Sequence, residues 1–125
     1  MSSPARIGIV AGTFHTQDLA KMINSARQAA FDLDLTIVAE VEVPGSYEKP
    51  LAAKRLLLRD DVDGLVILGI IEKGETAHGL VMGQVIGAAF VALQLEFMKP
   101  IGIGILGPEI FPTQIPSRLE SYSRA

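Results

Sequence analysis

Short continuous apolar runs alternate along this chain with longer stretches in which apolar residues recur at helical spacing. Arg6-Ile-Gly-Ile-Val-Ala11, ended by Gly12, is rich in β-branched residues and predicts a strand buried on both faces. A loop follows, Gly12-Thr-Phe-His-Thr16. Leu19, Met22, Ile23, Ala26 and Ala30 then mark one face of a first helix, with Thr16 as its candidate cap and Asp18 placed to favour the positive end of its dipole. Thr36 to Val43 predicts a second strand that stops at Pro44-Gly45, and Leu51, Ala52, Leu56 and Leu57 predict a second helix. Asp60-Asp61 makes a turn before a third strand, Gly64-Leu-Val-Ile-Leu-Gly69, and Ile70 to Thr76 reads as the loop after it. Length alone makes the segment from about Ala77 to Met98 helical. Lys99-Pro100 closes that helix ahead of a fourth strand, Ile101-Gly-Ile-Gly-Ile-Leu106. Ser117-Arg-Leu-Glu120 is a capping box that opens a last helix.

Apolar strands alternating with helices predict the α/β class: a three-layer sandwich with a four-stranded parallel sheet, helices on both faces and right-handed crossovers. No repeat, low-complexity tract or linker interrupts the pattern, so residues 1–125 are expected to form a single domain. Composition then narrows the chemistry. The 125 residues carry a net charge of −3, no Cys, no Trp and 49% hydrophobic residues, which suits one domain burying roughly two thirds of its surface. Without cysteine there is no disulfide framework and no thiolate site, and two distant histidines offer no ligand set, so no metal is expected. Lys and Arg are scattered rather than massed, so nucleic acid is not an expected partner. The first residues lack the pattern of a signal peptide, which points to the cytoplasm. Gly79 to Leu93 is apolar apart from Gln84 but shorter than the about 20 residues of a bilayer span. Gln94 and Glu96 follow at once, so a buried core helix is expected and a membrane is not.

Open α/β sheets bind ligands in the crevice outside the carboxyl ends of their strands. Four loops should meet there: Gly12-Thr13-Phe14-His15, Pro44-Gly45-Ser46-Tyr47-Glu48, Glu72 to His78, and Gly107-Pro108-Glu109. Phe14 can stack on a planar heterocycle or plug the sheet edge. Glu48, near a helix start, can accept hydrogen bonds from a polyol or amine, or simply complement the helix dipole. Gly74-Glu75-Thr76 precedes a helix, where backbone N–H groups and a hydroxyl can hold a phosphate oxygen; an ordinary loop with Thr76 as cap is the alternative. His78 would lie beside that phosphate, whose charge favours the imidazolium and eases proton donation, or it is a surface residue. Arg118, at the start of the last helix, is poorly matched to the dipole unless an anion lies there too; otherwise it is solvated. Gly79, Gly83 and Gly87 each cost about 1 kcal/mol relative to alanine in a helix. Their stripe either packs on the protein's own sheet or forms a seam between identical subunits.

Ile7-Gly-Ile-Val-Ala followed by Phe14, then Val43-Pro-Gly-Ser-Tyr-Glu-Lys-Pro-Leu-Ala-Ala-Lys54, then Gly74-Glu-Thr-Ala-His78 resemble lumazine synthase in order and spacing, over nearly the whole chain. Gly107-Pro108 with Ser117-Arg118 is more similar to archaeal members than to bacterial ones. The resemblance implies a flavodoxin-like version of the α/β fold. It also implies condensation of 5-amino-6-ribitylaminouracil with 3,4-dihydroxy-2-butanone 4-phosphate to 6,7-dimethyl-8-ribityllumazine and phosphate, the penultimate step of riboflavin biosynthesis, without metal or organic cofactor. Carried over by motif, Phe14 stacks on the pyrimidine, Ser46, Tyr47 and Glu48 line the ribityl chain, and backbone of Ile70, Ile71 and Glu72 meets the ring edge. Glu75 and Thr76 hold the phosphate, Arg118 from a neighbouring subunit pairs with it, and His78 is the acid–base residue. The resemblance further implies pentamers, or hollow shells of pentamers. His15 stands where many members carry Asn. Ile103 stands where bacterial members place an aromatic from the adjacent subunit, so contact there is expected to be aliphatic, and the last helix is expected to be cut short relative to other members. An archaeal-type riboflavin synthase shares the fold and a Thr-Phe start, but dismutates two lumazines with no phosphate in the reaction; Gly-Glu-Thr-x-His favours the phosphate-using enzyme. A non-catalytic flavin-binding or shell-forming relative is the other alternative.

Overall fold

Four strands, β1 (Arg6–Gly12), β2 (Thr36–Val43), β3 (Gly64–Glu72) and β4 (Ile101–Ile110), form one sheet in the order β2-β1-β3-β4, every neighbouring pair parallel. Helices α1 (Thr16–Asp32), α2 (Lys49–Leu57) and α3 (His78–Phe97) connect them, with a 3₁₀ turn at Ser46–Glu48 leading into α2. This computed structural model describes residues 4–13, 15–72 and 78–110, with Glu72 and residues 106–110 as backbone only. The expected last helix, with its Ser117–Glu120 capping box, lies outside them.

Successive strand residues point to opposite faces, and here both faces are covered. On one face Ile9, Ala11 and Leu68 meet Leu19, Met22 and Ala26 of α1. On the other, Val10, Val43, Leu65 and Ile67 meet Ala53, Leu56 and Leu57 of α2 and Ile86, Phe90 and Leu93 of α3. That two-sided burial is why β1 and β3 read as uninterrupted apolar runs, and each such side chain contributes roughly 1.5–3 kcal/mol. The result is the three-layer, flavodoxin-like α/β sandwich that the sequence predicts.

The chain leaves β1 through α1 to β2 on one side, then returns through α2 to β3 on the other, so strand order reverses between β1 and β3. Their carboxyl ends therefore border the crevice where such sheets bind ligands. At the opposite end Asp63 anchors both strands: its Oδ2 accepts the Arg6 backbone N–H at 2.7 Å and Nε at 3.2 Å, and its Oδ1 accepts Nη2 at 3.2 Å.

Several boundaries differ from the sequence expectation. β3 continues through Ile70 to Glu72, which the sequence assigns to a loop, and β4 continues through Gly107-Pro108-Glu109 to Ile110. The two extensions support each other, since Ile70 pairs with Leu106 and Glu72 with Ile110 across an irregularity in the ladder. β4 is an edge strand, where a proline that cannot donate is tolerated at a bulge. Thr16 is not the cap of α1. His15 takes that position at φ 57°, and the Thr16 hydroxyl donates to Thr13 O at 2.8 Å instead.

The largest correction concerns α3. The helix runs 20 residues, and by length and composition it is long and apolar enough to cross a membrane. Ile86, Phe90 and Leu93 pack into the sheet's core, which ties the helix to this fold, but they are its only buried residues among those described. Val81 (48% exposed), Val85 (51%) and Leu95 (71%) lie in the open, so the expected buried core helix is half uncovered in a single chain. Apolarity shows that a helix needs cover; it does not show that the cover belongs to the same chain.

Candidate active site

Among the described residues the buried polar side chains are Ser46 and Lys49, and they bond to each other: Lys49 Nζ donates to Ser46 Oγ at 3.3 Å. Pro44-Gly45 ends β2, the 3₁₀ turn swings Ser46 inward, and Pro50 suits the first turn of α2, where a missing N–H costs nothing. Lys49, at the head of that helix, is 1% exposed. Its stem passes over two glycines at the carboxyl ends of adjacent strands. A Cβ on Gly12 would lie 3.4 Å from Nζ, and one on Gly69 would collide with Nζ and lie 3.3 Å from Cε. Gly12 and Gly69 thus make the slot that the ammonium fills, between β1 and β3. Burial pulls the Lys49 ammonium down to about 8, with the nearby Glu48 carboxylate opposing that shift.

The two residues after Ser46 face outward. Tyr47 is half exposed, and its ring meets the His78 imidazole edge-on, centroids 6.2 Å apart and planes at 64°. Such a pairing contributes about 0.5–1.5 kcal/mol and joins the turn after β2 to the first residue of α3. Glu48 folds its carboxylate back over Gly45, where a Cβ would stand 2.8 Å from Oε2. It also lines a groove of about 420 Å³ beside edge strand β2, together with Glu42, Leu51 and Arg55. Ile70, Ile71 and the backbone of Glu72 form the last residues of β3, with Ile71 buried.

The sequence profile of 6,7-dimethyl-8-ribityllumazine synthase matches residues 4–121. Proteins of that name from archaea are similar over almost the entire chain. The one from Metallosphaera sedula is 40% identical over 121 residues, 97% of this chain and 80% of the relative. That from Methanopyrus kandleri is 38% identical over 123 residues, 98% and 87%, and that from Halobacterium salinarum 35% over 120 residues, 96% and 90%. The chain belongs to the 6,7-dimethyl-8-ribityllumazine synthase family.

Of the residues that the resemblance to lumazine synthase singles out, the structure brings Tyr47 and His78 into contact, with Ser46 and Glu48 in the same 3₁₀ turn as Tyr47 and Ile70, Ile71 and Glu72 ending β3. Ile103 stands apart. It pairs with Ile67, well below the end of β3, and is 42% exposed on edge strand β4. Phe14, Glu75, Thr76 and Arg118 lie outside the described residues. Gly107-Pro108-Glu109, expected as a fourth loop at the crevice, belongs to β4 instead. Among the described residues Gly87 of the glycine stripe has nothing within 4 Å of where a Cβ would be, so packing on the described sheet does not account for it. Lys49 is the functional candidate that sequence reasoning misses. A signal exists: it is a cation at the positive end of a helix dipole, where a carboxylate would be the stabilising choice.

Proposed function

We propose that this chain, folded as one domain, performs the condensation of 5-amino-6-ribitylaminouracil with 3,4-dihydroxy-2-butanone 4-phosphate, releasing 6,7-dimethyl-8-ribityllumazine and phosphate, in the cytoplasm and without a cofactor. Family membership over residues 4–121 carries this reading. The contact between Tyr47 and His78 supports it, because it joins the turn meant for the ribityl chain to the residue meant for proton transfer.

In this reading Phe14 stacks on the pyrimidine, Ser46, Tyr47 and Glu48 receive the polyol, and backbone of Ile70 to Glu72 meets the ring edge. Glu75, Thr76 and a neighbouring copy's Arg118 hold the phosphate. The substrate amine attacks the ketone, water leaves to give an imine, phosphate is eliminated, and the second nitrogen closes the ring on the remaining carbonyl with loss of a second water. Each step moves a proton, and His78 takes and returns it. One positioned acid–base group is worth about 10²- to 10⁴-fold, whereas holding two reactants in register contributes about 7–11 kcal/mol in favourable cases. Positioning therefore outweighs the imidazole.

The site is completed between copies in a pentamer, alone or in a shell of pentamers, with Ile103 offered to an adjacent copy. The uncovered apolar residues of α3, Val81, Val85 and Leu95, and the open space at Gly87 support a seam of identical subunits. The reaction is tested by supplying both substrates and following lumazine absorbance and free phosphate. Equal release of the two, dependent on both substrates, is expected. Consumption of added lumazine with formation of riboflavin, or a bound flavin without turnover, would overturn the reading.

A further inference from the structure

We infer that Lys49 is a positioning residue for the polyol: its ammonium, seated between Gly12 and Gly69, fixes the Ser46 hydroxyl as a hydrogen-bond donor toward an acceptor oxygen of the ribityl chain. This rests on the proposed condensation, in which Ser46 meets that chain.

The inference starts from the cost of the arrangement. A buried ammonium loses hydration that a single hydrogen bond does not replace, and at the head of α2 it also opposes the helix dipole. An apolar side chain of the same length would pack in the slot without either penalty. What an apolar residue lacks is a donor. An ammonium has three N–H groups and accepts nothing, while a serine hydroxyl has one O–H and two lone pairs. When Lys49 Nζ donates to Ser46 Oγ at 3.3 Å, one lone pair is used and the hydroxyl proton is directed to another acceptor. Ser46 is 9% exposed, so few directions remain, and the turn holds it beneath the rim formed by Tyr47 and His78. Among the described residues Ser46 Oγ is the one hydrogen-bond partner of Lys49. A hydroxyl that arrives as an obligatory donor selects a ligand presenting an acceptor oxygen there, and every carbon of a polyol chain offers one.

Among the described residues the groups that bear on the ammonium are few. β1 and β3 present Gly12 and Gly69, which do not titrate; its own turn presents Ser46 and the Glu48 carboxylate.

Steady-state kinetics with each substrate varied in turn, on wild type, Lys49→Met and Lys49→Gln, test the inference. Lys49→Met should raise KM for the ribitylated amine about tenfold, the size expected when a hydroxyl held by a charged donor loses it. Neither kcat nor KM for the butanone phosphate should move more than about twofold on the same scale. Lys49→Gln keeps an N–H donor and should recover part of the loss, which a purely packing role would not give. A folded Lys49→Met protein with wild-type KM for the amine overturns the inference and leaves the condensation standing. A wild-type protein without turnover overturns both. If Lys49→Met does not fold, Lys49→Gln decides: KM for the amine should stand above the wild-type value with KM for the butanone phosphate level, and wild-type values for both are the contrary result.

Discussion

The Tyr47 ring stands edge-on to the His78 imidazole, 6.2 Å between centroids and 64° between planes, although the two residues are far apart in sequence and sit on different connections of the sheet. The contact holds the turn after β2 against the head of α3. His78 is thereby held by packing as well as by its own helix, as the proton-transfer role proposed for it requires.

His78→Ala should lower kcat by about 10²- to 10⁴-fold and leave measurable turnover, since positioning is retained. Tyr47→Leu should cost far less, about two- to tenfold, matching the about 0.5–1.5 kcal/mol of an aromatic pair. Complete loss of turnover in a folded His78→Ala protein that still binds both substrates contradicts this division.

Lys49→Met should stabilise the fold. The ammonium drops from 10.5 to about 8 on burial, so below pH 8 both folded and unfolded chains hold the proton and the full cost is present. Between pH 8 and 10.5 the unfolded chain binds a proton that the folded one does not, and stability rises with pH. Near pH 7 the gain from Met should therefore be about 1–3 kcal/mol, shrinking as pH climbs toward 10.5. Urea unfolding of both proteins across that range checks the sign, and a gap that widens with pH is the contrary outcome.

Two glycines that lack room for a Cβ should respond differently. On Gly64 the Cβ would stand 2.9 Å from Pro100 O, a backbone atom, so Gly64→Ala should cost about 1–3 kcal/mol as overpacking does. On Gly69 the obstacle is Lys49 Nζ, the far end of a flexible chain that can be pushed aside. Gly69→Ala should lie at or below the bottom of that about 1–3 kcal/mol range, yet break the bond to Ser46 and raise KM for the ribitylated amine as Lys49→Met does. Thermal unfolding combined with kinetics separates the two.

Gly87→Ala distinguishes a seam from an idle surface. A lone chain has open space there, and alanine should add about 1 kcal/mol of helix stability. At a seam the methyl group meets the neighbouring copy, so assembly should weaken. Sedimentation velocity should show smaller species for Gly87→Ala than for wild type; unchanged assembly with higher thermal stability would place Gly87 away from the contact.

Much of the fold was legible because it rests on local rules. β1 and β3 are strands covered on both faces, and their β-branched runs say so. The ends of β3 and β4 were not legible, because Gly69 and Gly107-Pro108 look like stops until each strand is seen to supply the other's ladder. For α3, composition demanded burial without saying which chain supplies it. Ser46, Tyr47, Glu48 and His78 were legible as a motif; the contact between Tyr47 and His78 was not, because it joins two connections of the sheet. Lys49 was passed over because charged residues are ordinarily solvated, and only the facing glycines show that this one is not.

Mixing tests the shared crevice most directly. His78→Ala and Arg118→Ala proteins are assayed alone, then dissociated, combined in equal amounts and reassembled, and lumazine formation is measured. If His78 of one copy works with Arg118 of its neighbour, roughly a quarter of the sites regain both residues and activity returns to about that fraction of wild type. Activity no higher than the average of the two variants would show that each chain builds its site alone.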